Sequence, residues 1–143
     1  MPIYLVFVIN RSGGLIYHAQ FHGAQVHPLN ECLRLASTLH GIQQISRQVS
    51  PVENADDIGL VGLEARTFRL RVYQPPTGVQ FVVLATPDMP DEVLLGILRR
   101  LHLLYADYAL KNPFYVQDMP IRCRLFDIHF AKLMKPHIVS PLE

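Results

Sequence analysis

Histidine is the first residue type to consider for metal binding or acid–base catalysis in this chain, because imidazole both binds metals and transfers protons near neutral pH. The chain holds seven histidines. His18 and His22 are four residues apart, but one falls at the end of a predicted strand and the other in a loop, where that spacing does not bring side chains together. No HExxH motif or cysteine-rich segment accompanies them. We therefore expect scattered histidines, no metal site and no bound cofactor.

The segment Ser12-Gly13-Gly14 is the next candidate, as a nucleophile or a phosphate loop. It lacks the GxSxG pattern of a serine hydrolase and the Lys-Ser/Thr pair of a phosphate loop, and a strand follows it rather than a helix. We interpret it as a turn. Cys32 and Cys123 have no metal-ligand spacing, which favours two reduced thiols of a cytosolic protein over the alternative, a single long-range disulfide. The sequence predicts no covalent catalysis.

Two apolar runs predict the centre of a β-sheet. Ile3–Ile9 and Val79–Ala85 are apolar at successive positions, as expected for strands covered on both faces, and we expect them to lie side by side. Leu15–Tyr17 follows the first run after a glycine-containing turn, which predicts a hairpin. Strands at Leu60–Ala65 and Phe68–Tyr73 complete a predicted five-stranded antiparallel sheet.

Three helices accompany this sheet. Apolar residues at helical spacing predict a helix over Asn30–Val49, and Gly41 within it indicates that another segment packs closely there. Asp88 is expected to cap a second helix that runs to Lys111, and a third helix covers Ile121–Met134. The order ββ-α-βββ-αα in 143 residues predicts one α+β domain, with one helix on one face of the sheet and two on the other.

Composition indicates that other proteins cover part of the surface. Charged residues make up 17% of the chain, against about 25% in average soluble domains. A net charge of +1 with no basic stripe argues against a nucleic-acid partner, and no apolar run approaches the roughly 18 residues of a membrane span. On the second helix, the side opposite the expected core stripe is also apolar and is expected to bind a partner; it holds Leu95, Leu103, Ala106 and Leu110.

Three segments resemble the sybindin-like subunit of the TRAPP vesicle-tethering complex. The most specific is Tyr105–Asp127, which contains YADYALKNPFY followed by MPIRCRLFD. Phe7–Tyr17 (FVINRSGGLIY) and Thr67–Ala85 agree with it in the same order along the chain. The resemblance implies a longin-type, profilin-like fold over residues 1–143. Many members of the family carry a PDZ-like insertion after the first hairpin, but about a dozen residues separate Tyr17 from the first helix here, so no role of that insertion is expected.

The resemblance also implies a function. The chain would be a non-catalytic subunit of a multisubunit guanine-nucleotide exchange factor for a Rab-family GTPase in traffic between endoplasmic reticulum and Golgi. Its partners would be sister subunits and, through the assembled complex, the GTPase; its location would be cytoplasmic and peripheral at the cis-Golgi and endoplasmic reticulum. The segment Leu110–Asp127 then adds interface candidates, which are Lys111, Asn112, Pro113, Phe114, Tyr115, Met119, Pro120 and Arg122.

Other functions compete with this one. A small adaptor or coat subunit without exchange activity is the main alternative, and co-purifying partners would decide between them. A longin regulator of a SNARE needs a heptad helix and a membrane tail, which the residues up to Glu143 do not show. A hydrolase using histidine and serine is least supported, because no triad is positioned. The triplet Asn112-Pro113-Phe114 matches a motif bound by EH-type domains, but we expect it to form a packed connection between helices.

Overall fold

The computed structural model describes residues 3–20, 29–49, 62–75, 77–116, 119–121 and 123–135. Its elements follow the predicted order. They are β1 (Ile3–Ile9), β2 (Leu15–Gln20), α1 (Leu29–Val49), β3 (Gly62–Glu64), β4 (Arg69–Tyr73), β5 (Gln80–Ala85), α2 (Asp91–Leu104), a π-helical segment (Tyr105–Leu110) and α3 (Arg124–Met134).

The five strands form one antiparallel sheet in the order β2-β1-β5-β4-β3. The predicted central pair is confirmed, because β1 pairs with β5 along its length. Both strands need a cover on each face, since nearly all of their side chains are apolar. The register of this pair shifts between Ile3 and Leu5, so that Ile3 and Val6 point into the same core.

The sheet separates two hydrophobic cores, which confirms one helix on one face and two on the other. The core beneath α2 and α3 contains large side chains such as Leu98, Leu101 and Phe126 against Phe81 and Val83 of β5. Among the side chains of α1 that the structure describes, Cys32 and Ala36 are the fully buried apolar ones, and they pack on the opposite sheet face.

The turn between β1 and β2 accounts for Gly13 and Gly14, which were considered above as part of a phosphate loop. The Asn10 Oδ1 atom accepts hydrogen bonds from the amide of Ser12 at 3.0 Å, its hydroxyl at 3.0 Å and the amide of Gly14 at 2.8 Å. Gly13 has φ of 92°, a conformation in which a side chain is strained. The Ser12 hydroxyl is thus part of the turn, with no base beside it among the bonds that the described residues make.

Two predicted starts of helices are wrong. Asp88 does not cap α2, which begins at Asp91 after Pro90, and no side chain caps it. A residue that precedes proline avoids the helical conformation, so Met89 closes a turn onto the Thr86 carbonyl instead. The last helix begins at Arg124 rather than Ile121, because the Ile121 amide donates to the Ile16 carbonyl at 2.7 Å and holds that residue against β2.

Two further elements need comment. The second helix ends near the predicted bound, with Leu110 as its last residue and Lys111 as its C-cap, but its hydrogen bonding changes to π-helical at Tyr105. The third strand is described only as Gly62–Glu64, and the start predicted at Leu60 lies outside the described residues. Within the parts of the chain that the structure describes, no helix is both long and apolar enough to cross a membrane.

Candidate partner-binding surfaces

The outward side of α2 is apolar and exposed. Leu103 is 60% exposed and Leu110 45%, whereas Leu94, Leu98 and Leu101 are completely buried. Leu95 and Ala106, the other two candidates on this helix, are half-buried. Leu103 and Leu110 thus lie on an exposed side of the helix, while Leu95 and Ala106 are partly covered. The binding of a partner to the outward side stays a prediction.

The connection between the π-helical segment and α3 forms an apolar cleft of about 420 Å³. Five of the interface candidates named from sequence come together there. The cleft is lined by Asn112, Phe114, Tyr115, Val116, Met119, Pro120 and Cys123. Lys111 and Pro113 are exposed beside it, and Arg122 lies outside the described residues.

Hydrogen bonds hold this cleft in shape. The Asn112 Oδ1 atom accepts from the Phe114 amide at 3.0 Å, and the Asn112 carbonyl accepts from the Tyr115 amide at 3.1 Å. The Tyr115 hydroxyl donates to the Met119 carbonyl at 2.8 Å, across the opening. Phe114 is 91% exposed on this fixed backbone. A rigid loop that presents an aromatic side chain loses little conformational entropy on binding, which is a property of interface anchor residues.

An exposed ion pair lies beside the cleft. Lys111 Nζ lies 3.4 Å from the Asp107 carboxylate, and both side chains are more than half exposed. An exposed pair of this kind adds under about 0.5 kcal/mol to the stability of a helix. The described residues that line the cleft are uncharged, so the contacts they offer a partner are apolar, aromatic and hydrogen-bonding.

A second apolar surface lies on α1, and sequence reasoning missed it. We call it the α1 flank; it consists of Leu35, Ile42, Ile45 and Val49, which are 39% to 72% exposed. The buried line of this helix is instead Cys32, Ala36 and Gln43. The sequence contains a pattern that indicates this surface, since Leu35, Ile42 and Val49 recur every seven residues, the spacing of a seam between helices.

The close packing predicted at Gly41 is wrong within the described chain, because nothing lies within 4 Å of the position that a Cβ atom would take there.

The residues considered for chemistry have structural surroundings. Among the described residues, no three His, Cys, Asp or Glu side chains come together as a metal site would require. His102 packs against the rings of Tyr73 and Phe81, with centroids 5.7 and 5.4 Å away, and burial lowers its pKa. His129 stacks on Tyr108 at 4.6 Å.

The thiols and one tyrosine also lack the features of a reactive centre. Cys32 and Cys123 are both free, so the disulfide alternative is wrong. Burial and then the Glu31 charge raise the pKa of Cys32, which opposes formation of a reactive thiolate. The Tyr17 hydroxyl donates to the Asp127 carboxylate at 3.2 Å, and burial, followed by that charge, raises its pKa. This contact joins β2 to α3.

The matches to known proteins agree with the segments quoted from the sequence. A model of the family described as the Sybindin-like family matches residues 3–137. This chain belongs to the Sybindin-like family. It is 37% identical over 134 residues to the "Trafficking protein particle complex subunit 4" of Dictyostelium discoideum, a match that covers 94% of this chain and 97% of that protein.

Two other relatives differ from this one in sequence identity and in the share of their length that the match covers. The Homo sapiens protein of the same name is 47% identical over 98 residues, which cover 68% of this chain and only 43% of the human protein. The chain thus matches less than half of that longer relative. The "Trafficking protein particle complex subunit 1" of Dictyostelium discoideum is 24% identical over 127 residues, or 87% of this chain and 88% of that protein.

Solved structures confirm the longin-type fold. A Roadblock/LC7 domain from Streptomyces avermitilis has a TM-score of 0.56 at 15% identity, covering 74% of this chain and 87% of its own. The structure titled "MglB with tetrameric arrangement" has a TM-score of 0.51 at 16% identity, covering 73% and 71%. At this level of identity the likeness concerns the fold alone.

Proposed function

We propose that this chain is a non-catalytic core subunit of a TRAPP-type tethering complex, which acts as guanine-nucleotide exchange factor for a Rab-family GTPase in endoplasmic-reticulum-to-Golgi traffic. The observation that carries the proposal is similarity along 94% of the chain to a relative named as subunit 4 of the trafficking protein particle complex. In the cell the protein would be cytoplasmic and held at the cis-Golgi and endoplasmic reticulum through the complex.

The positions of the two apolar surfaces support a subunit that is held between neighbours. The α1 flank belongs to the helix on one face of the sheet, and the cleft around Phe114 belongs to the layer of α2 and α3 on the other face. One chain can therefore bind two neighbours without competition between them. The low charge content agrees with this arrangement, because interface cores are depleted in charged residues.

The relatives support a neighbour that shares this fold. Proteins named as subunit 4 and as subunit 1 of the complex are both similar to this chain over most of its length. A relative named as subunit 1 then shares the α+β architecture, so it is the natural first partner to test on the α1 flank.

In this proposal the chain acts by binding. Nucleotide exchange requires a surface that binds the nucleotide-free GTPase more tightly than the nucleotide-bound form, which shifts the population toward release. That surface would be shared among subunits, and this chain would supply contacts from its helices and from Leu110–Asp127. Tight binding to both states alike would give no exchange.

A reconstitution experiment tests the exchange role. The isolated chain should give no acceleration of nucleotide release from a Rab-family GTPase loaded with a fluorescent nucleotide, and addition of purified sister subunits should give it. Robust exchange by the chain alone would contradict the non-catalytic role. An assembled complex that lacks exchange on every GTPase tried would favour the adaptor alternative.

Two charge substitutions test the two surfaces separately. Ile45→Asp on the α1 flank and Phe114→Asp at the cleft should each leave the melting curve unchanged and each abolish capture of a different purified subunit. An unpaired charge in a desolvated interface costs enough binding energy for such a loss. Gln44→Asp, on the exposed polar side of α1, is the matched control and should retain both subunits. If both variants lose the same subunit, or neither loses one, the arrangement between two neighbours is wrong.

A further inference from the structure

A groove lies on the surface between α2 and α3, apart from the α1 flank and from the cleft around Phe114. It has a volume of about 290 Å³. Its floor is apolar and its two ends on α2 are oppositely charged. The lining residues are Glu92, Val93, Gly96, Ile97, Arg100 and Leu133.

Gly96 lies in the middle of α2, where alanine is the better helix former. No described atom lies within 4 Å of the position that a Cβ atom would take there. The described part of the chain therefore gives no packing reason for glycine. The bare backbone lets another helix approach α2 closely at this position.

The charges beside the groove are symmetric about Gly96. Glu92 is four residues before it and Arg100 four residues after it, which places each about 6 Å along the helix axis in opposite directions. Both are exposed, and neither forms an ion pair with another described residue. When the direction of the helix is reversed about Gly96, Glu92 takes the place of Arg100 and Arg100 takes the place of Glu92.

This symmetry indicates what would bind in the groove. We propose that the groove binds α2 of a second copy of this chain, with the two helices antiparallel and crossing at Gly96. A two-fold axis at the crossing would place Glu92 of each copy against Arg100 of the other, so one charge pattern satisfies both partners. The apolar floor formed by Val93 and Leu133 would be covered at the same time. The inference does not depend on the proposed exchange function.

The association is weak. The α2 helix has 14 residues and so is about 21 Å long, and a crossing of two such helices buries less than the roughly 1,200 Å² of a standard stable interface. The dimer therefore forms at high protein concentration and weakens as salt screens the charges.

Sedimentation equilibrium of the full chain tests this inference, at concentrations from about 10 μM to about 1 mM. The natural chain should show a monomer–dimer equilibrium that high salt weakens. Glu92→Arg and Arg100→Glu should each weaken dimerisation about tenfold, because each places like charges together at both ends of the crossing. The double variant carrying both changes should restore the natural affinity, since it exchanges the charges and keeps the symmetry.

A bulky residue in the groove gives an independent measurement. Gly96→Leu should abolish dimerisation, while Gly41→Leu on α1, where a Cβ atom also meets nothing, should leave it unchanged. Thermal melts establish that each variant is folded, and the three charge variants decide the question if Gly96→Leu does not fold. The proposal is wrong if the chain stays monomeric throughout, if the double variant does not recover, or if Gly41→Leu rather than Gly96→Leu removes the dimer.

Discussion

The two faces of the sheet are covered in different ways. Beneath α2 and α3 the helices contribute leucines and phenylalanines, and rings pack edge to face where Tyr17 meets Phe126 and Phe130. Beneath α1 the helix contributes a cysteine and an alanine as its fully buried apolar residues, while isoleucine and valine side chains of the same helix face outward. The core on the α2 and α3 side is thus filled by large side chains of those helices, whereas α1 directs several of its large apolar side chains outward, where the described residues leave them partly exposed.

The apolar residues of the larger core and those of the α1 flank therefore have different roles. Side chains that point into the larger core determine whether the domain folds, because each buried large side chain contributes about 1.5–3 kcal/mol. Side chains on the α1 flank contribute less to the stability of the isolated chain, because 39% to 72% of their surface stays in water. We proposed above that a neighbouring subunit covers them.

The largest expected effect is the loss of folding when charge enters the larger core. Leu101→Asp should unfold the domain, because Leu101 is fully buried and an unpaired carboxylate there has no partner. Leu103→Asp, two residues along the same helix and 60% exposed, should change the free energy of unfolding by less than about 0.5 kcal/mol. Thermal melts of both variants check this. Equal destabilisation would show that the outward side of α2 belongs to the core.

A smaller effect is expected from the polar contacts that tie each helix layer to the sheet. Arg69 donates to the Met89 carbonyl at 2.7 Å and lies 3.4 Å from the Asp91 carboxylate, which holds the start of α2 against β4. Gln74 accepts a hydrogen bond from Gln43 of α1 at 3.1 Å.

Arg69→Ala should cost about 2 kcal/mol and Gln43→Ala about 1 kcal/mol, because the charged guanidinium of Arg69 makes the stronger kind of hydrogen bond, whereas Gln43 donates one neutral bond to Gln74. Urea denaturation of the two variants measures the difference. The reverse order of costs would mean that the α1 layer is the more firmly held, and the comparison of the two faces would fail.

Hydrogen exchange of the isolated chain should distinguish the two layers directly. Amides near the end of α1, from Ile42 to Val49, should exchange about tenfold faster than the amides of α2, because local opening exposes less apolar surface there. Addition of the subunit that binds the α1 flank should slow exchange in α1 alone. Equal protection in the free chain would show that the α1 layer is as stable as the other.

The smallest expected effect is a pH dependence on the α2 side. Burial lowers the pKa of His102 below its usual value of about 6.5, so the unfolded chain takes up a proton first as the pH falls. Stability should therefore decrease from about pH 7 through pH 6.5 and continue to fall until the folded-state pKa is passed.

Replacement of this side chain tests the assignment. His102→Gln should give a flatter dependence of the unfolding free energy on pH in that window, and the ring protons of His102 should titrate below pH 6.5 by NMR. Identical slopes for the two proteins would assign the acid sensitivity to other groups.

The sequence predicted the sheet and the α2 side well, for physical reasons. A strand that is apolar on both faces has to be central, which placed β1 beside β5, and a 3.6-residue period located Leu94, Leu98 and Leu101 in the core. The resemblance gave Phe114 and Met119 as interface candidates, but the sequence did not predict that they meet at one cleft, because loop geometry depends on hydrogen bonds such as that of Tyr115 to Met119.

The sequence could not predict which apolar residues of α1 are buried. Helical spacing applies equally to Ala36, which is buried, and to Ile45, which is 60% exposed. A helix with two apolar sides satisfies the same periodicity whichever side meets the sheet. Only the packing of the helix on the sheet makes the choice, and it buries Cys32, Ala36 and the polar Gln43 while the flank stays partly exposed.

The π-helical segment after α2 holds one more residue per turn than the helix before it. Each residue of an α-helix turns the chain by about 100°, whereas Tyr105–Leu110 closes its hydrogen bonds one residue wider, so each of its residues turns the chain by less. Deletion of one residue there would therefore let the helix become regular and would leave the exit direction of the chain nearly unchanged. Phe114 would keep its direction, and Ile121 its bond to β2. This turn can thus accept a change of one residue in chain length while the aromatic cleft keeps its orientation.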